Sequence, residues 1–160
     1  MERVNRILKQ PIWKQSLQKN KIAEKERIFC KHNIEHFLDV GRIAYIKSLE
    51  QNLNIKKDVI YAAALLHDIG KFLQYFDGTP HEIASSDLAK DILKECGYLE
   101  GECDTIVKAI LEHRKKPAHF SSELSRILYE SDKISRNCMF CPANAQCNWA
   151  DDKKNKEIVY

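Results

Sequence analysis

The chain has 160 residues, enough for one domain to bury a substantial core without disulfides or cofactors as staples. Its 26 basic and 23 acidic residues are interspersed and leave a net charge of +3, which gives no warrant for a nucleic-acid groove. No apolar segment follows the start, and the longest apolar run, Val59 to Leu66, is far short of a membrane span, so a cytoplasmic protein with no membrane partner is expected.

Only five glycines and four prolines punctuate the chain, and apolar residues recur at three- and four-residue spacing nearly everywhere. No repeat or linker divides it. Residues 1–160 therefore read as one all-α domain, a bundle of about six helices. The first helix is interrupted near Pro11 and continues through Trp13 and Ile22 to Phe29. A second is expected over about 33–50, and a third over about 56–70. The middle of the third, Ala62-Ala63-Ala64, is apolar nearly all round and marks the buried central helix. The fourth has the clearest start signal: Thr79 as N-cap, Pro80 at the first helical position and Glu82 completing a capping box. It should end near Gly97. A fifth covers about 102–114, stopped before Pro117, and a sixth about 122–136. Lys115-Lys116 and Lys153-Lys154 read as solvated surface charge.

His67-Asp68 ends the most apolar helix. Neighbours on a helix point about 100° apart, so the pair cannot share a face, but both side chains can reach ions lying beside the helix. An ionised aspartate buried there is costly unless a cation compensates it, which a metal would do. Lys71, four residues after His67 and three after Asp68, emerges on nearly the same side and suits an anionic substrate. His36 lies early in one amphipathic helix, in His36-Phe37-Leu38-Asp39-Val40-Gly41-Arg42-Ile43-Ala44, and Asp132 lies late in the last.

These residues resemble the signature of the HD-domain superfamily of metal-dependent phosphohydrolases: a first His, a His-Asp doublet and a distant final Asp on separate helices of an all-α core. The match runs over about residues 30–136, and Leu65-Leu66-His67-Asp68-Ile69-Gly70-Lys71 carries its central motif. Binuclear members insert two histidines between the doublet and the last Asp, and His81 and His113 stand in that order here. The resemblance implies two ions: His36, His67, Asp68 and Asp132 around one, His81 and His113 around the other, with Asp68 bridging. Six mixed nitrogen and oxygen ligands favour octahedral iron, manganese, cobalt or nickel over closed tetrahedral zinc. A hydroxide held between two such ions is the expected nucleophile. Lys71 would add electrostatic stabilisation, with Arg42 and His32 as further substrate-binding residues, His32 sharing a helical face with His36. His119 reads as a surface-loop residue.

The tail, residues 137–160, holds Cys138, Cys141 and Cys147, and Cys30 is the best candidate for a fourth thiolate. Cys30 precedes His36 by six residues and Cys138 follows Asp132 by six, so helices joined at one ion would bring them near. Zinc or an iron–sulfur cluster suits four thiolates, and a tail of reduced, unliganded thiols fits the sequence equally. Cys96 and Cys103 receive no role. The reaction implied is hydrolysis of a phosphoester or phosphoanhydride in a small phosphorylated substrate, a nucleotide or a dinucleoside tetraphosphate. A diiron oxygenase and a non-catalytic metal or redox sensor are the alternatives. The Gly-Tyr-Pro signature of cyclic-dinucleotide phosphodiesterases is absent.

Overall fold

A computed structural model describes residues 1–115 and 119–160 of the chain. Its regular elements among those residues are helical: α1 (Glu2–Lys9), α2 (Pro11–Ala23), α3 (Ile34–Glu50), α4 (Lys57–Leu66), α5 (Lys71–Phe76), α6 (His81–Glu95), α7 (Glu100–Glu112) and α8 (Glu123–Ile134), with 3₁₀ turns at Asn144–Gln146 and Asp151–Lys153. Among the described residues there are eight α-helices rather than about six: the first expected helix is divided at Gln10, and α5 forms where no helix was expected. None is long and apolar enough to cross a membrane.

α4 is the centre. Ala62 to Leu66 are fully buried, and α1, α3, α6, α7 and α8 all pack around it. Such all-round burial follows from a helix that is apolar on every face. Gln10, in an extended conformation, separates α1 from α2, and Pro11 opens α2 where its missing N–H costs nothing. α2 stops at Ala23 instead of running on to Phe29. Glu24 turns inward there, and its carboxylate accepts from the backbone N–H of His32 at 2.7 Å.

The central helix also ends sooner than expected, and residues 67–70 form a turn. The cause lies in α2. The side chain of buried Asn20 donates to the Asp68 carbonyl at 3.0 Å and accepts from the Phe72 N–H at 2.7 Å. These two groups would otherwise bond to the neighbouring turns of a continuing helix, so Asn20 holds the chain open at the doublet. Trp13 Nε1 bonds to the Leu65 carbonyl at 3.0 Å and fixes α2 on the same segment.

Gly70 closes the turn against α6. A Cβ at this position would lie 2.6 Å from the Ser85 nitrogen and 2.7 Å from the Ala84 carbonyl carbon. Ser85 Oγ also accepts from the Gly70 N–H at 2.9 Å. We expect Gly70→Ala to push α6 away and lower stability by about 1–3 kcal/mol, the usual scale for overpacking. Wild-type stability in a denaturant titration of that variant would contradict this contact.

The capping box at Thr79 is not formed. α6 begins at His81 with Pro80 as its N-cap, and the Thr79 N–H is taken by Asp77 Oδ1 at 3.0 Å. The start signal was real, but a tight turn captured its first residue. Asn33 and Ser122 cap α3 and α8 through their side chains, accepting from His36 N and Ser125 N. α7 ends at Glu112, so the expected stop before Pro117 and the surface lysine Lys116 fall at 116–118, outside the described residues.

Candidate metal centre

Each metal-ligating candidate sits at a helix end, where a side chain can leave the bundle wall and point along a shared cavity. His36 is in the first turn of α3, its N–H held by Asn33 Oδ1 at 3.0 Å. His67 and Asp68 occupy the turn after α4, His81 opens α6, His113 follows α7, and Asp132 is in the last turn of α8. All six are buried, none more than 6% exposed.

They form two groups that share Asp68: His36, His67, Asp68 and Asp132, and Asp68, His81 and His113. In the first, His36 Nε2 lies 3.3 Å from Asp132 Oδ1, and His67 Nε2 lies 3.1 Å from Asp68 Oδ2 and 3.9 Å from Asp132 Oδ1. In the second, Asp68 Oδ1 is 3.1 Å from His81 Nε2 and 3.6 Å from His113 Nε2, and the two imidazole nitrogens are 3.2 Å apart. Ligands bound at about 2.1 Å around one ion stand roughly 3.0–3.4 Å apart, so most of these separations fit the edges of a coordination shell.

The donor set passes a stricter test. His67 Nδ1 donates to the Ala64 carbonyl at 2.7 Å and His113 Nδ1 to the Ile110 carbonyl at 2.6 Å, while His81 Nδ1 lies 2.5 Å from Gln74 Oε1 and 3.0 Å from the Lys71 ammonium. Ser135 Oγ gives its hydrogen to the Asp132 carbonyl at 2.8 Å, which leaves its lone pair to accept from His36 Nδ1 at 3.1 Å. His36, His67 and His113 thus have acceptors that favour a proton on Nδ1, and all four rings turn Nε2 to the centre, the arrangement that orients metal-bound histidines. His36 Nε2, His67 Nε2 and Asp68 Oδ1 are buried with no hydrogen-bond partner. Orphaned acceptors facing one another are costly without a cation between them.

Charge points the same way. Against the cost of burial, His67, His32 and His113 hold the Asp68 carboxyl well below its usual range, and His36 and His67 do so for Asp132. Burial takes His36 down to about 4 despite Asp132, whereas burial at His67 is outweighed by Asp68 and Asp132, which push it up to about 10. Both carboxylates are thus held ionised, and at His67 a divalent ion would take the place of the proton on Nε2.

A cavity of about 460 Å³ opens over this centre. Lys71 lines it, its ammonium 3.2 Å from Gln74 Oε1, and burial lowers its pKa against the pull of Asp68. Arg27, Arg114, Lys133 and Arg136 add positive charge at the wall, with Phe29 and Trp149 beside them. Lys133 Nζ and Arg136 Nη2 contact Asp132 at 2.7 and 3.3 Å.

His32 and Arg42 depart from expectation in different ways. His32 shares no helical face with His36, because it lies in the non-helical segment before the α3 cap. It reaches the site from there: its Nδ1 bonds to the Glu24 carboxylate and its Nε2 lies 3.6 Å from Asp68 Oδ2. Arg42 does not line the cavity. Six residues beyond His36 it is turned about 240° round the helix, where it is exposed and pairs with Asp39 at 3.1 Å. Arg136 takes the place proposed for it, and its position four residues after Asp132 was a readable signal. Glu24, Gln74 and Ser135 had no signal in the sequence. His119 is exposed.

Cys30 and Cys147 line the cavity wall. The cysteines are all free thiols, and no three of them bring their sulfurs within 4.8 Å of one another. A preformed tetrahedral zinc cage is therefore absent among the described residues.

Comparison with known proteins agrees with the geometry. Residues 33–137 match the HD domain family. An uncharacterized protein of Clostridium beijerinckii is 48% identical over 160 residues, covering the whole of both chains. Ribonuclease Y of Nitratidesulfovibrio vulgaris is 29% identical over 107 residues, 67% of this chain but 18% of that enzyme. No solved structure matches significantly. With the doublet, the flanking ligands and the family match in the same segment, the chain belongs to the HD-domain family, whose members are typically metal-dependent phosphohydrolases.

Proposed function

We propose that the protein is a binuclear hydrolase of phosphoester or phosphoanhydride bonds, acting on a nucleotide. The observation that carries this reading is the sharing of Asp68 between two groups of buried, orphaned ligand atoms. His36, His67, Asp68 and Asp132 would hold one divalent ion, and Asp68, His81 and His113 the other. Two such ions, of iron, manganese, cobalt or nickel, supply an activated water and neutralise the charge that grows on a phosphoryl group.

The remaining roles fall to the chain's own side chains. Lys71, Arg114 and Arg136 draw phosphate oxygens to the cavity and hold them in a low-dielectric wall, where charge acts more strongly than in water. Phe29 and Trp149, half-buried at the same wall, offer apolar faces to a planar base. Glu24 orients His32, which stands beside Asp68 and can pass a proton at the rim of the site. The basic lining supports phosphoryl substrates over the oxygenase alternative.

Metal counting joined to a substrate screen tests the reading. The native protein should carry two ions per chain and hydrolyse nucleotides when loaded with manganese. His81→Ala and His113→Ala should each retain about one ion and lose most of the activity. One ion in the native protein, with no loss in either variant, would make these histidines structural.

A further inference from the structure

The centre accounts for His36 and Asp132, and the contact between them has an effect beyond it. The start of α3 and the end of α8 are drawn together, and each carries cysteines just outside the ligand. Arg136 Nη1 donates to the Lys31 carbonyl at 3.2 Å, and the Cys138 N–H donates to the Arg136 carbonyl at 3.0 Å. Cys30 and Cys138 therefore flank one direct link between the two segments.

The tail then folds back on itself. Cys141 N bonds to the Cys138 carbonyl at 3.3 Å, Asn144 N to the Cys141 carbonyl at 3.0 Å, and Cys147 N to the Asn144 carbonyl at 3.2 Å. The Asn144 side chain donates to the Cys138 carbonyl at 2.6 Å and closes the loop. These turns return Cys147 to the cavity wall that Cys30 also lines. Burial chiefly pushes the Cys30 thiol up, with Arg136 opposing, and Cys138 and Cys141 are near enough to push it further.

We propose that Cys30, Cys138, Cys141 and Cys147 ligate an iron–sulfur cluster at the wall of the catalytic cavity. Spacing disfavours a single zinc. Thiolates on one tetrahedral zinc, with bonds of about 2.3 Å, stand roughly 3.8 Å apart, whereas here no three sulfurs lie within 4.8 Å of one another. A cluster spreads its thiolates over separate irons and needs the wider arrangement. Assembly of a four-iron cluster takes up two ferrous and two ferric ions with four sulfides and displaces one proton from each of the four thiols, so no electron enters or leaves. Arg27 and Arg136 at the same wall compensate the negative charge of a thiolate cluster. The bound group would pin Asn148 and Trp149, which follow Cys147, beside the His/Asp site.

The test is anaerobic reconstitution of the full chain with ferrous and ferric iron and sulfide, followed by desalting. Acid-labile sulfide and a visible sulfide-to-iron charge-transfer band should remain with the protein. Both should be lost in Cys138→Ser/Cys141→Ser with helical circular dichroism intact, and in Cys147→Ser should the double variant fail to fold. Asp68→Ala, which disturbs only the His/Asp ions, should keep both signals, so failure here and failure of the hydrolase reading are separable. Bound zinc without sulfide, no sulfide at all, or a cluster that survives loss of these cysteines would each overturn the proposal.

Discussion

Asp68→Ala should purify as a folded helical protein with neither ion bound and no measurable hydrolysis. The expected loss exceeds the roughly 10²–10³ that removing one electrostatic donor costs an enzyme, because both ligand groups lose their shared member. Asp68 Oδ2 faces His67 and Asp68 Oδ1 faces His81 and His113, so no other carboxylate can stand in for it. The fold should survive. The Asp68 carbonyl, which Asn20 holds, is backbone and remains after the side chain is gone. The apolar core around α4 does not include the Asp68 side chain either. Elemental analysis beside circular dichroism reads both parts of the result. A variant that keeps its full metal content would remove Asp68 from the ligand set.

Lys71→Met should separate charge from coordination. The ammonium has no lone pair to give a metal, and Gln74 Oε1 still holds His81 Nδ1 when the ammonium is gone. Metal content should therefore match the native protein. The rate should fall by about two or three orders of magnitude if the charge acts on the transition state. Steady-state kinetics decide between two roles: a fall in kcat means transition-state stabilisation, and a rise in KM alone means ground-state binding. Native turnover would mean that the ammonium, 3.0 Å from His81 Nδ1, plays no part in the chemistry.

The sequence carried much of this site because its chemistry is local. Each candidate ligand stands in a short motif at a helix end, and the resemblance supplied their order. The helical class was equally legible, from spacing and the scarcity of glycine and proline. Long-range contacts were not. The break after Leu66 is imposed by Asn20, 48 residues away from the carbonyl it binds, and no periodicity reports such a bond. The same holds for Glu24, which looked like one more helical residue until the chain turned there to meet His32. Arg42 follows His36 along the same helix, but six residues carry it round to another face, where it pairs with Asp39. Thr79 had the right composition for a cap, but a competing Asx turn from Asp77 used its N–H.

The bonds from α2 to the doublet also set the size of the working unit. Residues 33–137 match the family, yet the conformation of His67 and Asp68 depends on side chains that precede that segment. Trp13 grips the Leu65 carbonyl, Asn20 takes the place of the missing helical bonds, and Glu24 braces His32 against the site. A fragment cut at the family boundary would keep all six candidate ligands and lose the three residues that aim them. The working unit of the candidate centre is therefore larger than the segment by which the family is recognised, and the first two helices are part of its architecture.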